Sequence, residues 1–195
     1  MKLPEMKGLL SVDTNNAIAV LNAKITKTCS TADRLSYSIG RVAALGLVPL
    51  TLPRLAVLTD AELEAMDAFI YRYGSLVSNI QDAIFKSIGE VELEPVSTMS
   101  NRDKTNLMER LGALPSADEF STLAYIRNKL MHEYPEEAQK QLDRTNFITH
   151  EAPRLIEVFI GITQYAKKFG LHFSIAEYAH LSHFANSANS SGSAK

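Results

Sequence analysis

Apolar positions in the first third of the chain fall at steps of three and four: Ile18, Leu21, Ile25, Cys29, Ala32, Leu35, Ile39 and Val42. That spacing stacks side chains on one side of an α-helix. It predicts one long helix over about 14–45, or two in line, with Ser30 and Asp33 marking where a fresh helix start would divide them. GLVPLTLPRLAVL follows, and Pro49 and Pro53 lie too close together for a helix interior, so this segment reads as an extended apolar connector. Thr59 and Glu62 have the spacing of a capping box, which opens a helix whose stripe is Leu63, Met66, Ile70, Tyr73, Val77, Ile80, Ile84 and Ile88. Gly89 is the expected end of that helix.

The pattern stays helical beyond it. EVELEPVSTM reads as a loop, and Ser100 with Asp103 opens a short helix to about Leu111. Ser116 with Glu119 opens another, which ends by Tyr134, because Pro135 drives the residue before it out of the right-handed helical region. Pro135, Glu136 and Glu137 resemble the first turn of the next helix, with proline and acids where a helix start favours them. The last strong stripe is Leu155, Val158, Phe159, Ile162, Tyr165, Ala166 and Phe169, on a helix expected to begin near Thr149 so that Pro153 falls in its first turn. A weaker segment runs from Gly170 to about Phe184, and the small polar residues of 185–195 read as a disordered tail. There is no alternating strand pattern and no repeat. The expected fold is all-α, an antiparallel bundle of about five to six helices forming one domain over 1–184.

Composition narrows the class. A chain of 195 residues that is 46% hydrophobic and 22% charged suits a single soluble domain with a full core. A net charge of -2 gives no overall field toward nucleic acid or anionic membrane, so any basic surface must be local. Cys29 is the sole cysteine, which excludes an intrachain disulfide and a cysteine-based metal site and fits a reducing cytoplasm. The start, MKLPEMKGLLSVD, interrupts with proline and acids the apolar run a signal peptide requires. No apolar run is long enough to span a membrane. A cytoplasmic protein without cofactor is expected.

The chemistry concentrates in RNKLMHEY, residues 127–134. Asn128 and His132 are four apart and share a helical face. Arg127 lies five residues before His132, about 140 degrees around the helix, so one helix offers a polar corner rather than a closed site. A second copy packed against it would complete the site. Histidine exchanges protons near neutral pH and arginine grips phosphate oxygens at two points, a combination suited to phosphodiester cleavage without metal. Asn128 would orient the imidazole or donate to the phosphate, and Tyr134 stands at the helix end. The plainer reading is that His132 meets the negative end of the helix dipole and Arg127 is a solvated cation.

Other polar groups carry less. Glu177, His180 and His183 are spaced by three, but His183 lies about 240 degrees from Glu177, which is poor geometry for a metal. Asn79, Gln81 and Asp82 would either orient the motif or stay on the surface. Arg102, Lys104 and Arg110 mix with Asp103 and Glu109 as a solvated face or a modest contact for RNA backbone. There is no glycine-rich phosphate loop.

Arg127-Asn128-x-x-x-His132-x-Tyr134 resembles the signature of the HEPN superfamily, helical-bundle proteins many of which are ribonucleases. In its Arg-x4-His-x-Tyr form it is most similar to HepT-type toxins, over about residues 60–170, with EAPRLIEVF resembling the start of the family's final helix. The resemblance implies a metal-independent endoribonuclease whose cleft forms between the motif helices of a homodimer. Arg127 and His132 would be catalytic and Asn128 supporting. It also implies a nucleotidyltransferase antitoxin that transfers AMP to Tyr134, adding bulk and negative charge where substrate phosphate must bind. The alternative is a non-catalytic HEPN-like subunit that binds a nucleotide or a nucleotidyltransferase.

Overall fold

The computed structural model describes residues 3–132 and 137–184, with side chains at 13–129 and 137–184. Its described residues form seven α-helices and no strand: α1 (Leu3–Ala44), α2 (Leu52–Leu55), α3 (Asp60–Ser78), α4 (Phe85–Val91), α5 (Asn101–Arg110), α6 (Ala117–His132) and α7 (Ala138–Ala166). The all-α reading holds. Pairs of contacts give the directions. Thr31 meets Asn79 and Ser38 meets Arg72, so α1 and α3 are antiparallel. Glu119 meets Arg154 and Lys129 meets Arg144, so α6 and α7 are antiparallel too.

Sequence starts and stops are often obeyed. The Glu62 carboxylate accepts from the Thr59 N–H at 2.9 Å and from its hydroxyl at 2.9 Å, satisfying donors that a helix start leaves open. The Asp103 carboxylate accepts from the Ser100 hydroxyl at 2.7 Å, while the Ser100 oxygen accepts from the Asp103 N–H at 3.2 Å. Ser116 caps α6 by accepting from the Glu119 N–H at 3.2 Å.

Of the two readings open for the first stripe, one long helix is the one found: α1 runs unbroken past Ser30 and Asp33, because Cys29, Ala32 and Leu35 continue its buried stripe. Asp33 is used elsewhere: its carboxylate accepts from the N–H groups of His180 and Leu181, tying the C-terminal segment to α1. Other expectations need correction. The connector is not wholly extended. Pro53 falls in the first turn of the one-turn helix α2, where its missing N–H costs nothing. Asn146 on α7 holds this connector, accepting from the Leu50 N–H at 2.8 Å and donating to the Leu50 carbonyl at 2.9 Å.

Two boundaries also differ. Helix α3 passes through a π-helical segment, Asn79–Ile84, into α4, which continues past Gly89 to Val91. Gly89 has a packing role there, since a Cβ would collide with the Val96 side chain of the following turn. Helix α7 begins at Ala138, well before Thr149, and contains Pro153. An interior proline costs about 3 kcal/mol. Burial of Leu142, Thr145, Ile148 and Ala152 on the upstream turns offsets it.

The core joins these helices. Leu21, Ile25 and Leu35 of α1 pack with Phe69, Tyr73 and Leu76 of α3, Phe120 and Leu123 of α6, and Ile148, Leu155 and Phe159 of α7 in one cluster. Phe85 and Phe120 lie 5.0 Å apart between ring centres, fastening α4 to α6.

Candidate functional site

Helix α6 delivers the motif, and its first half is what fixes it. Phe120 and Leu123 are fully buried, while Arg154 of α7 clasps the Glu119 carboxylate through two nitrogens, Nη2 to Oε2 at 3.0 Å and Nε to Oε1. The guanidinium holds Glu119 below the usual carboxylate range. The Tyr73 hydroxyl of α3 donates to the Leu123 carbonyl at 3.3 Å, one turn before the motif.

Arg127 leaves this anchored stretch half-buried. Its guanidinium donates through Nη1 to Asn128 Oδ1 at 2.6 Å and through Nη2 to the Ser78 hydroxyl, at the last residue of α3 before the π segment. Ser78 therefore pins the arginine across the α3–α6 seam. A guanidinium has five N–H donors in a planar fork, so these two contacts orient it and leave donors for an incoming anion. Asn128 is exposed, and its amide oxygen serves Arg127. The sequence reading had given Asn128 to the imidazole or the phosphate.

The end of the helix draws further cations. Arg144 of α7 donates to the Lys129 carbonyl at 3.2 Å, satisfying one of the acceptors that a helix end exposes. Lys129 Nζ stands 5.6 Å from the centre of the Tyr125 ring. Arg144 thereby braces the motif helix. The His150 ring meets Glu151 at 2.8 Å on the surface. Helix α6 is described to His132, and the stop that Pro135 predicts at Tyr134 lies outside the described residues. The His132 side chain and Tyr134 lie outside the described residues.

The remaining candidates resolve into structural roles. Asn79 donates to Thr31 on α1 at 3.1 Å, and Asp82 accepts from Asn101 on α5 at 3.3 Å, so both brace neighbouring helices. Gln81 is half-buried. Arg102 pairs with Asp118 at 2.6 Å and Arg110 with Glu94 at 3.2 Å, which matches a solvated, internally neutralised face. The His180 ring packs 5.1 Å from Tyr37. Among the described residues no three His, Cys, Asp or Glu side chains gather as a metal site. Burial pushes the Cys29 thiol up to about 11, which keeps it protonated and unreactive at neutral pH. No described helix is long and apolar enough to cross a membrane.

Ser78, Arg144 and Asn146 were invisible to sequence reasoning, because each acts across helices. The weak signal for Ser78 was a polar run, Ser75, Ser78 and Asn79, inside an otherwise apolar helix. Comparison of the chain with protein-family models, with curated proteins and with solved structures finds no match.

Proposed function

We propose that this chain is a ribonuclease that cuts RNA without a metal ion, in the manner its HEPN-like motif implies, with a site completed by a second copy. The observation that carries the reading is Arg127: a half-buried guanidinium, oriented by Ser78 and Asn128, five residues before a histidine at its helix end. Fixed charge where negative charge develops is the strongest general aid to phosphoryl chemistry. In the proposed step His132 removes the ribose 2′-hydroxyl proton and the 2′-oxygen bonds to phosphorus. Arg127 stabilises the added charge. The bond to the 5′-oxygen breaks as that oxygen takes a proton from the His132 imidazolium of the second copy. A nucleotidyltransferase antitoxin in the cytoplasm would complete the system, silencing it by adding AMP at Tyr134.

The test is cleavage of a fluorophore-quencher RNA by purified wild type, Arg127→Ala and His132→Ala, in the presence of EDTA. Each substitution should lower the rate by about 100-fold or more. Equal rates in all three proteins would sink the reading. Nucleotide bound tightly while RNA stays intact would shift it to the non-catalytic subunit.

A further inference from the structure

A second polar surface runs along the seam of α1 and α3. Between Thr31 and Asn79 at one end lies a groove of about 430 Å³, lined by Arg34, Tyr71, Arg72 and Ser75. It shares Arg72 and Ala68 with a groove of about 250 Å³ that reaches Tyr37, Arg41 and Glu64. That one shares Tyr37 and Arg41 with a third, of about 510 Å³, which ends at His180, His183 and Phe184. The first two grooves share Arg72 and Ala68 and form one furrow on the α1–α3 seam, spanning α1 from Thr31 to Arg41, about 15 Å at the helical rise. The third lies between α1 and the C-terminal segment and touches the furrow only at Tyr37 and Arg41.

Its chemistry is uneven in a useful way. Arg34 and Arg41 are exposed, seven residues apart on one face of α1, and neither has a carboxylate partner among the described residues. Lys27 continues the same seven-residue spacing. Arg72 of α3 stands between them, donating to the Ser38 hydroxyl and lying 5.9 Å from the centre of the Tyr37 ring. Glu64 is the one carboxylate among the residues lining the furrow. Tyr71 keeps 66% of its surface open, so a ring face is available beside the cations, while the Tyr37 ring is already met by Arg72 and His180. A row of cations beside an exposed aromatic ring is a surface that single-stranded nucleic acid uses: phosphates meet the cations and an unpaired base stacks on the ring.

The furrow also has a direction. Ser75 lines its Thr31–Asn79 end, and Ser78 follows one turn later on the same outward stripe of α3. Ser78 is the residue that holds Arg127. We infer that the α1–α3 furrow is a track for single-stranded RNA, leading the strand past Arg41, Arg34 and Tyr71 to Arg127. The choice of RNA rests on the ribonuclease reading; the track itself rests on the furrow.

Fluorescence anisotropy with a labelled 2′-O-methyl oligouridine separates the two, because that strand binds but cannot be cut. Arg34→Glu combined with Arg41→Glu should weaken binding at least about tenfold and flatten its salt dependence. Tyr71→Ala should weaken it about fivefold or more. Arg110→Glu, outside the track, should bind as wild type, and thermal melts would confirm that all variants fold. The track is overturned if wild type does not bind, if the paired substitution binds as wild type, or if duplex RNA or polyglutamate competes as well as single strand. Cleavage of ordinary RNA without any effect of the track substitutions would remove the track and leave the ribonuclease reading. Binding without cleavage would do the reverse.

Discussion

The two ends of helix α6 are built on different principles. Its start is locked by a Ser116 cap, by buried Phe120 and Leu123, and by the double contact of Arg154 with Glu119. Its end carries Arg127 and Asn128 on a half-buried to exposed surface, where Arg127 reaches Ser78 and Arg144 reaches the Lys129 carbonyl. Anchorage at one end lets the other present polar groups without a packed core beneath them. A site that needs accessible donors in fixed positions is served by that division.

Removing the anchor should give the largest effect. Phe120→Ala deletes a fully buried ring packed on Phe85, for about 3–5 kcal/mol, and should lower the melting temperature by on the order of 10 °C in calorimetry. A small shift there would mean the first half of α6 is not the anchor.

Glu119→Gln tests the polar part of the same anchor and should cost about 0.5–1 kcal/mol at pH 7, the discount reflecting a pair left partly open to water. The sign with pH is fixed. Because Arg154 lowers the Glu119 pKa in the folded state, the stabilisation is complete above the unfolded carboxylate value of about 4.3 and disappears as pH falls through the folded value. Wild type and Glu119→Gln should therefore converge in melting temperature on acidification below about pH 4. A constant difference would remove the ion pair from the account.

An effect of similar size is expected at the other end. Arg144→Ala removes the hydrogen bond to the Lys129 carbonyl, about 1 kcal/mol, and should lower the melting temperature by about 2–4 °C. Amide hydrogen exchange over 127–132 should also quicken several-fold. Unchanged exchange would show that the helix end does not need its brace.

What was legible in the sequence follows the same division. The starts of α3, α5 and α6 could be read because a cap and its partner lie three residues apart. A helix opening next to Glu137 was expected, but the second start near Thr149 was misread because the local rule about Pro153 was outweighed by the burial of Leu142 and Ile148, which only the folded chain displays. Ser78 and the α1–α3 furrow join residues some fifty or forty positions apart, and a helical pattern contains no information at that range. The motif residues stood out by type and spacing, while what orients Arg127 did not.

The π segment between α3 and α4 has a consequence for register. From Leu76 one line of buried positions advances by fours, to Ile80, Ile84 and Ile88. Each such step overshoots an α-helical turn by about 40 degrees, so three of them would swing the stripe about 120 degrees off the core. The wider turn of Asn79–Ile84 absorbs that drift. Within it, Asn79 finds Thr31 of α1 and Asp82 finds Asn101 of α5, so the segment meets two neighbours at once. One continuous rod thereby keeps time with two neighbours, and Ser78, at the changeover, is the tooth on which Arg127 catches.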